Sequence, residues 1–526
     1  MRIGILALVV SSVVSIAAAQ QQPPRQPFIE PAEHRHALRA ERPRAAAPSR
    51  TGEWTALSVV MPINPVHVAL MHDGKVLVIA GSGNDPDNHD LQAAVWNPAT
   101  RTVRTFKIYF DMFCNGMVVL PDGHPFVMGG TIQYSPPAAF WIGDKKTASF
   151  NPSTEMFTDK ASMNGGRWYP TGTVLADGTV LAISGLDVGG FNDTIEIYHP
   201  STNTWTHSGS GFPGMPLYPR MALLPNGKVF ESGSNPNTKT YEPATGTWRN
   251  VATTLFGQYR EYGTSVLLPL LPSRNFAPRV MILGGGPQLE QDVPILATDT
   301  TEIIDLSAAT PAWTAGPNMA AARIQLNATL LPGGRVLVSG GSSTDEEGST
   351  AVREAELYDP ATNAFSSAET MNFPRLYHSN TLLLPDATVL AVGGNPARGD
   401  YEPHIEIYTP PYLFKADGTR AARPEISSST TKTIHYGASF EIHTHQAADI
   451  RRVELIRAGA VTHAFDMDQR LVGLTYTTAK GVLHAKAPAT ANLAPPGYYL
   501  LFAIDKNGVP SVAHWVHLTA SAKKHY

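Results

Sequence analysis

The chain has 526 residues, with 40 Lys+Arg against 44 Asp+Glu and a formal net charge of −4. Charged residues are only 16% of the total, below the roughly 25% of an average soluble protein, and so near-neutral a balance argues against nucleic acid as the main partner. The single cysteine, Cys114, excludes an internal disulfide and a zinc–thiolate site.

The N-terminus reads as a signal peptide over residues 1–19. Arg2 is the positive flank, an apolar run extends from Ile3 to Ile16, and Ala17-Ala18-Ala19 is a small-residue cleavage site. The run is shorter than the ~20 residues a membrane span needs. The expected location is therefore secreted or periplasmic, with no membrane anchor after cleavage. Residues 20–50 are rich in Pro, Ala and Arg and read as a disordered linker. A thiol carried into an oxidising compartment without a partner calls for an explanation.

The middle of the chain is repetitive. A turn, an apolar strand and a small-residue pair recur seven times, as in HDGKVLVIAGSG at 72, ADGTVLAISG at 176, PGGRVLVSGG at 332 and PDATVLAVGG at 385. The second turn residues are Gly74, Gly123, Gly178, Gly227, Gly334 and Ala387, and the long interval holds the irregular fifth copy, PRVMILGGG at 278. An aromatic phrase follows most copies, such as Tyr198-His199-Pro200 closed by Trp205 and Tyr358-Asp359-Pro360 closed by Phe365. A period near 50 with several short strands per unit predicts an all-β, seven-bladed kelch-type β-propeller over residues 51–415. The composition then changes. Alternating segments such as SFEIHTH and YYLLFAIDKNG predict a C-terminal immunoglobulin-like β-sandwich over 422–526.

In such a repeat the strand entering the turn lines the central channel, so counting nine residues back from the turn residue picks one structural level. This gives Cys114, Tyr169, Tyr218, Gln325 and His378, with Tyr377 adjacent, Pro65 in the first blade and Tyr262 nearby in the fifth. Imidazole and phenolate oxygen together suit copper(II), and a sulfur beside a tyrosine ring could tune its electronics. Taken singly, each residue has an ordinary explanation: a structural histidine, an inert buried cysteine, a packed tyrosine. Their coincidence at one level is what points to chemistry.

At these residues the sequence resembles the copper radical oxidases, the galactose oxidase and glyoxal oxidase family. The carrying phrases are Asp111-Met112-Phe113-Cys114, Arg167-Trp168-Tyr169-Pro170, Arg375-Leu376-Tyr377-His378-Ser379, LIRAGAVTHAFDMDQR at 455–470 and PPGYYLLFAIDKNGVPSVA at 495–513. The phrase SGLD at 184–187 leans towards the bacterial glyoxal oxidase-like branch. The resemblance implies copper held by Tyr169, Tyr377, His378 and His463, the last supplied by the C-terminal domain. It implies a Cys114–Tyr169 thioether bearing a tyrosyl radical, with Tyr377 as the base. The implied reaction oxidises a small aldehyde or primary alcohol, or a glycan end, with O2 and yields H2O2, in a monomer. Arg323, Trp168 and Tyr218 are the candidate substrate contacts. Where galactose oxidase stacks a Trp on the cross-linked Tyr, this chain has Leu186 and Asp187, which leaves Trp168 as the candidate shield. The alternative is a secreted kelch propeller that only binds glycan or protein. Such a binder has no reason to carry Cys114, Tyr169, Tyr377, His378 and His463 together.

Overall fold

The computed structural model describes residues 47–135, 140–287, 295–344, 346–397 and 399–520. The expected signal peptide and residues 20–46 of the expected linker lie outside them. The end of that linker, Pro48–Thr51, is a single helical turn. Among the described residues no helix is long and apolar enough to cross a membrane, and strands make up nearly all the regular structure.

All seven apolar phrases are strands: Val76–Gly81, Pro125–Met128, Val180–Ile183, Val229–Glu231, Arg279–Leu283, Val336–Ser339 and Val389–Val392. Each is second in its own antiparallel sheet and pairs with the strand that precedes its turn. The turn residues behave as their chemistry requires. Gly74, Gly123, Gly178, Gly227 and Gly334 all have φ between 84° and 88°, and Ala387 takes φ 65° in the same place, the left-handed region a tight hairpin needs. The closing aromatics sit directly opposite their partners, Tyr198 across from Trp205 and Tyr358 across from Phe365, where cross-strand pairs add stability.

Burial grades across every sheet. First and second strands are buried along nearly their whole length, as in Gly116–Val119 and Val180–Ile183. Fourth strands such as Thr102–Lys107 and Thr204–Ser210 are mostly exposed and polar, which blunts their free edges. First strands of neighbouring sheets pack together: His67–Leu70 beside Gly116–Val119, Gly116–Val119 beside Thr171–Val174, and Asn380–Leu383 back beside His67–Leu70. Among the described residues no sheet closes on itself, and each keeps two edges.

Two sheets borrow strands from far along the chain. The last repeat is completed by Glu53–Val60, which pairs with His404–Thr409. The first is extended at its inner edge by Ala460–Thr462, which pairs with His67–Leu70, and then by Phe465–Asp466. The rest of the C-terminal region forms a five-stranded and a three-stranded sheet. One apolar core is shared by both and reaches into the repeats, joining Leu455, Leu483 and Tyr499 to Phe230, Ile282 and Trp313. The composition boundary near 415–422 is therefore not a boundary in packing.

A buried ion pair recurs in four sheets: Arg167–Glu196 at 2.7 Å, Arg260–Glu302 at 2.8 Å, Arg323–Glu356 at 2.9 Å and Arg375–Glu406 at 2.9 Å. In each, a third-strand glutamate holds an arginine of the segment leading into a first strand. The same carboxylates also accept backbone N–H groups, from Asn164, Leu255, Ala320 and Asn372 respectively. Satisfied on both sides, such pairs fix geometry, and losing one partner strands a buried charge.

Candidate active site

The segments leading into the first strands, four of them held by these pairs, end in residues of unusual backbone conformation. Cys114, Tyr169, Tyr218, Tyr262, Gln325 and His378 all have positive φ, from 44° to 67°. Each lies two or three residues before the first strand of its sheet. A left-handed non-glycine residue costs on the order of 1–3 kcal/mol, and such outliers cluster at functional sites. Backbone bonds link this level from sheet to sheet: Tyr169 N–H donates to Cys114 O at 3.0 Å, Tyr218 N–H to Tyr169 O at 3.0 Å, and Gln325 N–H to Tyr262 O at 2.6 Å.

His463 arrives from the opposite direction. The strands Ala460–Thr462 and Phe465–Asp466 are joined by the two-residue turn His463-Ala464, with φ 47° and 64°, the type I′ pattern usually made by Asn-Gly. Asp466 accepts three backbone N–H groups, from Ala460, Asp468 and Gln469, at 3.0 Å each. Thr264 bonds the Ala464 carbonyl and Thr462 donates to Val66 O. The hairpin is thus tied to two repeats and holds His463 at the level of the strained residues.

The side chains converge. The Tyr169 and Tyr377 hydroxyls bond each other. His463 Nε2 lies 3.1 Å from Tyr169 Oη, 3.1 Å from His378 Nε2 and 3.9 Å from Cys114 Sγ. His378 Nδ1 lies 2.9 Å from Asn395 Oδ1, an atom that can only accept. His463 Nδ1 lies 2.7 Å from Thr462 Oγ1, whose own proton goes to Val66 O. Both Nδ1 atoms therefore carry the proton, and both Nε2 lone pairs point at one another. Burial, followed by the neighbouring His378 and His67, pushes the His463 pKa well below its ordinary value. Burial pushes Tyr169, Tyr377 and Cys114 well above theirs. Burial thus disfavours charge on His463 and on both phenols, and a bound cation would invert that balance.

Aromatic rings wall the site. The Trp168 centroid is 3.7 Å from that of Tyr169, and the Tyr218 ring lies 4.5 Å from Tyr169 and 4.6 Å from His463. Tyr218 Oη donates to Asn115 O at 2.7 Å, and Tyr262 meets Tyr377 edge-on at 5.6 Å. Arg323 falls elsewhere. It has no exposed surface, and besides Glu356 its guanidinium bonds the carbonyls of Gly340 and Glu354. It is the third of the four equivalent ion pairs, placed in the interior of its sheet rather than at the substrate position expected from sequence. Leu186 exchanges two backbone bonds with Trp168, so the SGLD loop holds the Trp168 backbone in place.

Some contributors are invisible in the motif phrases. His67 Nε2 accepts the Cys114 N–H at 3.1 Å; the nine-back count selects Pro65 instead, two residues short. Asp111 Oδ1 accepts the N–H groups of Ser82 and Phe113 and so shapes the cysteine loop. A Cβ at Gly81, where φ is 62°, would collide with that carboxylate and with the Phe113 nitrogen. Asn395 and Thr462, which fix the two imidazoles, have no spacing signal at all.

The sequence model of the glyoxal oxidase N-terminus matches residues 82–412, and that of the galactose oxidase-like early-set domain matches 423–518. A galactose oxidase of Gibberella zeae is 28% identical over 519 residues, covering 89% of this chain and 71% of that protein. An aldehyde oxidase GLOX of Vitis pseudoreticulata is 29% identical over 474 residues, covering 80% and 84%. A solved structure of a fungal alcohol oxidase of the AA5 family in complex with copper superposes with a TM-score of 0.78 at 27% identity, covering 89% of this chain and all of that one. With one family model spanning more than half the sequence and a second following it, the chain belongs to the glyoxal oxidase family of galactose oxidase-like oxidoreductases.

Proposed function

We propose that the chain is an exported copper radical oxidase that oxidises a small aldehyde or primary alcohol with O2, releasing H2O2. The seven sheets are read as seven blades of a propeller over 51–415, and the region 422–526 as an immunoglobulin-like sandwich. The carrying observation is the pair of facing Nε2 lone pairs, 3.1 Å apart, beside two bonded phenols and Cys114. Lone pairs held in opposition are relieved by a shared cation, and two imidazoles with two phenol oxygens form a donor set suited to copper(II). His378, His463, Tyr169 and Tyr377 would hold it.

Copper bound there would accept one electron and acidify a bound hydroxyl, and the remaining redox equivalent must come from the protein. Cys114 and Tyr169 meet that need. Loss of the S–H and a ring C–H hydrogen, with O2 accepting the two electrons and two protons to give H2O2, joins sulfur to the ring and leaves a tyrosine that is more readily oxidised. Tyr377 Oη takes the proton of the substrate hydroxyl, which requires hydrogen-bond reach, and the Tyr169 radical takes the hydrogen from the substrate carbon. An alcohol then leaves as aldehyde, and an aldehyde hydrate as acid, with O2 reduced to H2O2 in both cases. Tyr169 and Tyr377 are only 8% and 5% exposed, which leaves room for a small reacting end and favours aldehydes and primary alcohols over chain interiors.

The test is the intact mass of the mature protein after copper loading in air. The expected result is a loss of two hydrogens that Cys114→Ser abolishes, together with peroxide release from glyoxal, glycolaldehyde, glycerol or galactose. An unmodified, alkylatable thiol after loading overturns the proposal.

A further inference from the structure

We propose that Trp168, Trp141 and Tyr134 form an electron-transfer path from the Tyr169 ring to the protein surface, through which outer-sphere one-electron oxidants charge the radical. The inference rests on the copper radical reading above. Four rings stand in file: Tyr169 to Trp168 at 3.7 Å, Trp168 to Trp141 at 4.5 Å in a near-parallel stack of 19°, and Trp141 to Tyr134 at 4.7 Å. All four are indole or phenol rings, the side chains most easily oxidised by one electron. The neighbouring route from Tyr134 through Phe113 to His378 has longer gaps, 6.2 and 5.5 Å, and runs through a phenyl ring that does not oxidise at comparable potentials.

The site needs such a path because its own ring is enclosed. Trp168, Tyr218 and His463 surround Tyr169, so a hydrated complex ion cannot touch it. Trp141 and Trp168 are each only 2% exposed, while Tyr134 is partly exposed. Proton handling along the file fits the same role. Among the described residues the Trp141 indole N–H has no hydrogen-bond partner, and that of Trp168 has the Cys114 sulfur beside it. An oxidised indole there keeps its proton, and the hole passes on. At the outer end Tyr134 Oη donates to Asp111 Oδ2 at 3.2 Å, so the phenol proton can shift to the carboxylate while the ring is oxidised and return afterwards. In sum, Tyr169 as a cross-linked phenolate loses one electron, and an oxidant such as hexacyanoferrate(III) gains it and becomes hexacyanoferrate(II). Tyr169 is left as the neutral radical and the three relay side chains are unchanged.

The experiment mixes cross-linked, copper-loaded, radical-free protein with hexacyanoferrate(III) in a stopped-flow cell. It follows both radical absorbance and oxidant consumption. Trp141→Phe and Tyr134→Phe should each slow radical formation by about ten-fold or more, and Trp141→Tyr, which restores an oxidisable ring, should recover much of the rate. Turnover of the pre-oxidised variants should stay within about two-fold of the parent. Rates unchanged in both Phe variants of demonstrably cross-linked protein overturn the relay and leave the oxidase reading standing. A parent protein whose mass shows no cross-link overturns both.

Discussion

His378 and His463, one from the last repeat and one from the C-terminal hairpin, face each other through Nε2 atoms 3.1 Å apart, each locked by a bond at its other nitrogen. For His378 that lock is Asn395 Oδ1, 2.9 Å from Nδ1. Asn395→Ala frees the imidazole to rotate or change tautomer without touching any proposed ligand. Removing such supporting partners typically costs about 10–100-fold in metal affinity. Copper competition titration should show a loss of that order. An affinity equal to the parent's would mean that packing against Tyr377, 3.9 Å away, orients the ring unaided.

Arg323 separates a scaffold role from substrate contact. If the guanidinium serves the sheet, Arg323→Ala and Glu356→Ala should each destabilise strongly, by about 3–5 kcal/mol for a broken buried pair. The double variant should then lose much less than the sum. Thermal unfolding measures all three. In the fraction that folds, KM should be unaltered. A raised KM with normal stability would restore the substrate-contact reading.

What the sequence revealed and what it hid follow from the range of each interaction. The seven turn-and-strand phrases are local, because left-handed turn residues and apolar strands announce themselves within about ten residues. The level of Cys114, Tyr169, Tyr218, Gln325 and His378 was reachable because repetition turns a spatial register into a count. His67 escaped because it sits at the start of its strand, inside the first sheet, and acts through its ring nitrogen rather than its register. The ion pair of Arg323 is hidden because an aligned arginine carries no sign of its partner. Glu356 lies 33 residues on, and only the recurrence of Arg–Glu pairs in the folded sheets shows what it does.

Glu231 should give the protein a pH-dependent stability away from the site. Burial raises its pKa to about 8, against 4.5 for the free side chain; Gly233 N–H bonds one oxygen, and the other has no partner among the described residues. Between these values the folded state holds a proton that the unfolded state has released. Stability is therefore fully present below pH 4.5 and is lost as pH rises through about 8, by roughly 1.4 kcal/mol per unit for one group. Denaturation midpoints measured across that window should slope downward, and Glu231→Gln should flatten the slope. An unchanged slope in the variant would assign the dependence to another group.

Ala464 is the position where backbone strain and the proposed chemistry can be separated. It occupies the second place of the His463-Ala464 turn at φ 64°, where glycine is the unstrained choice. Ala464→Gly should preserve copper affinity and raise thermal stability by up to about 1 kcal/mol. Ala464→Val places a β-branched side chain where the left-handed region is most costly. The turn must then open and carry His463 away from His378 and Tyr169. That variant should retain the strands, since Asp466 still anchors both ends of the hairpin, yet bind copper at least about ten-fold more weakly. Circular dichroism would report the strands and competition titration the metal. Equal copper affinity in the Gly and Val variants would show that the hairpin does not set the position of His463.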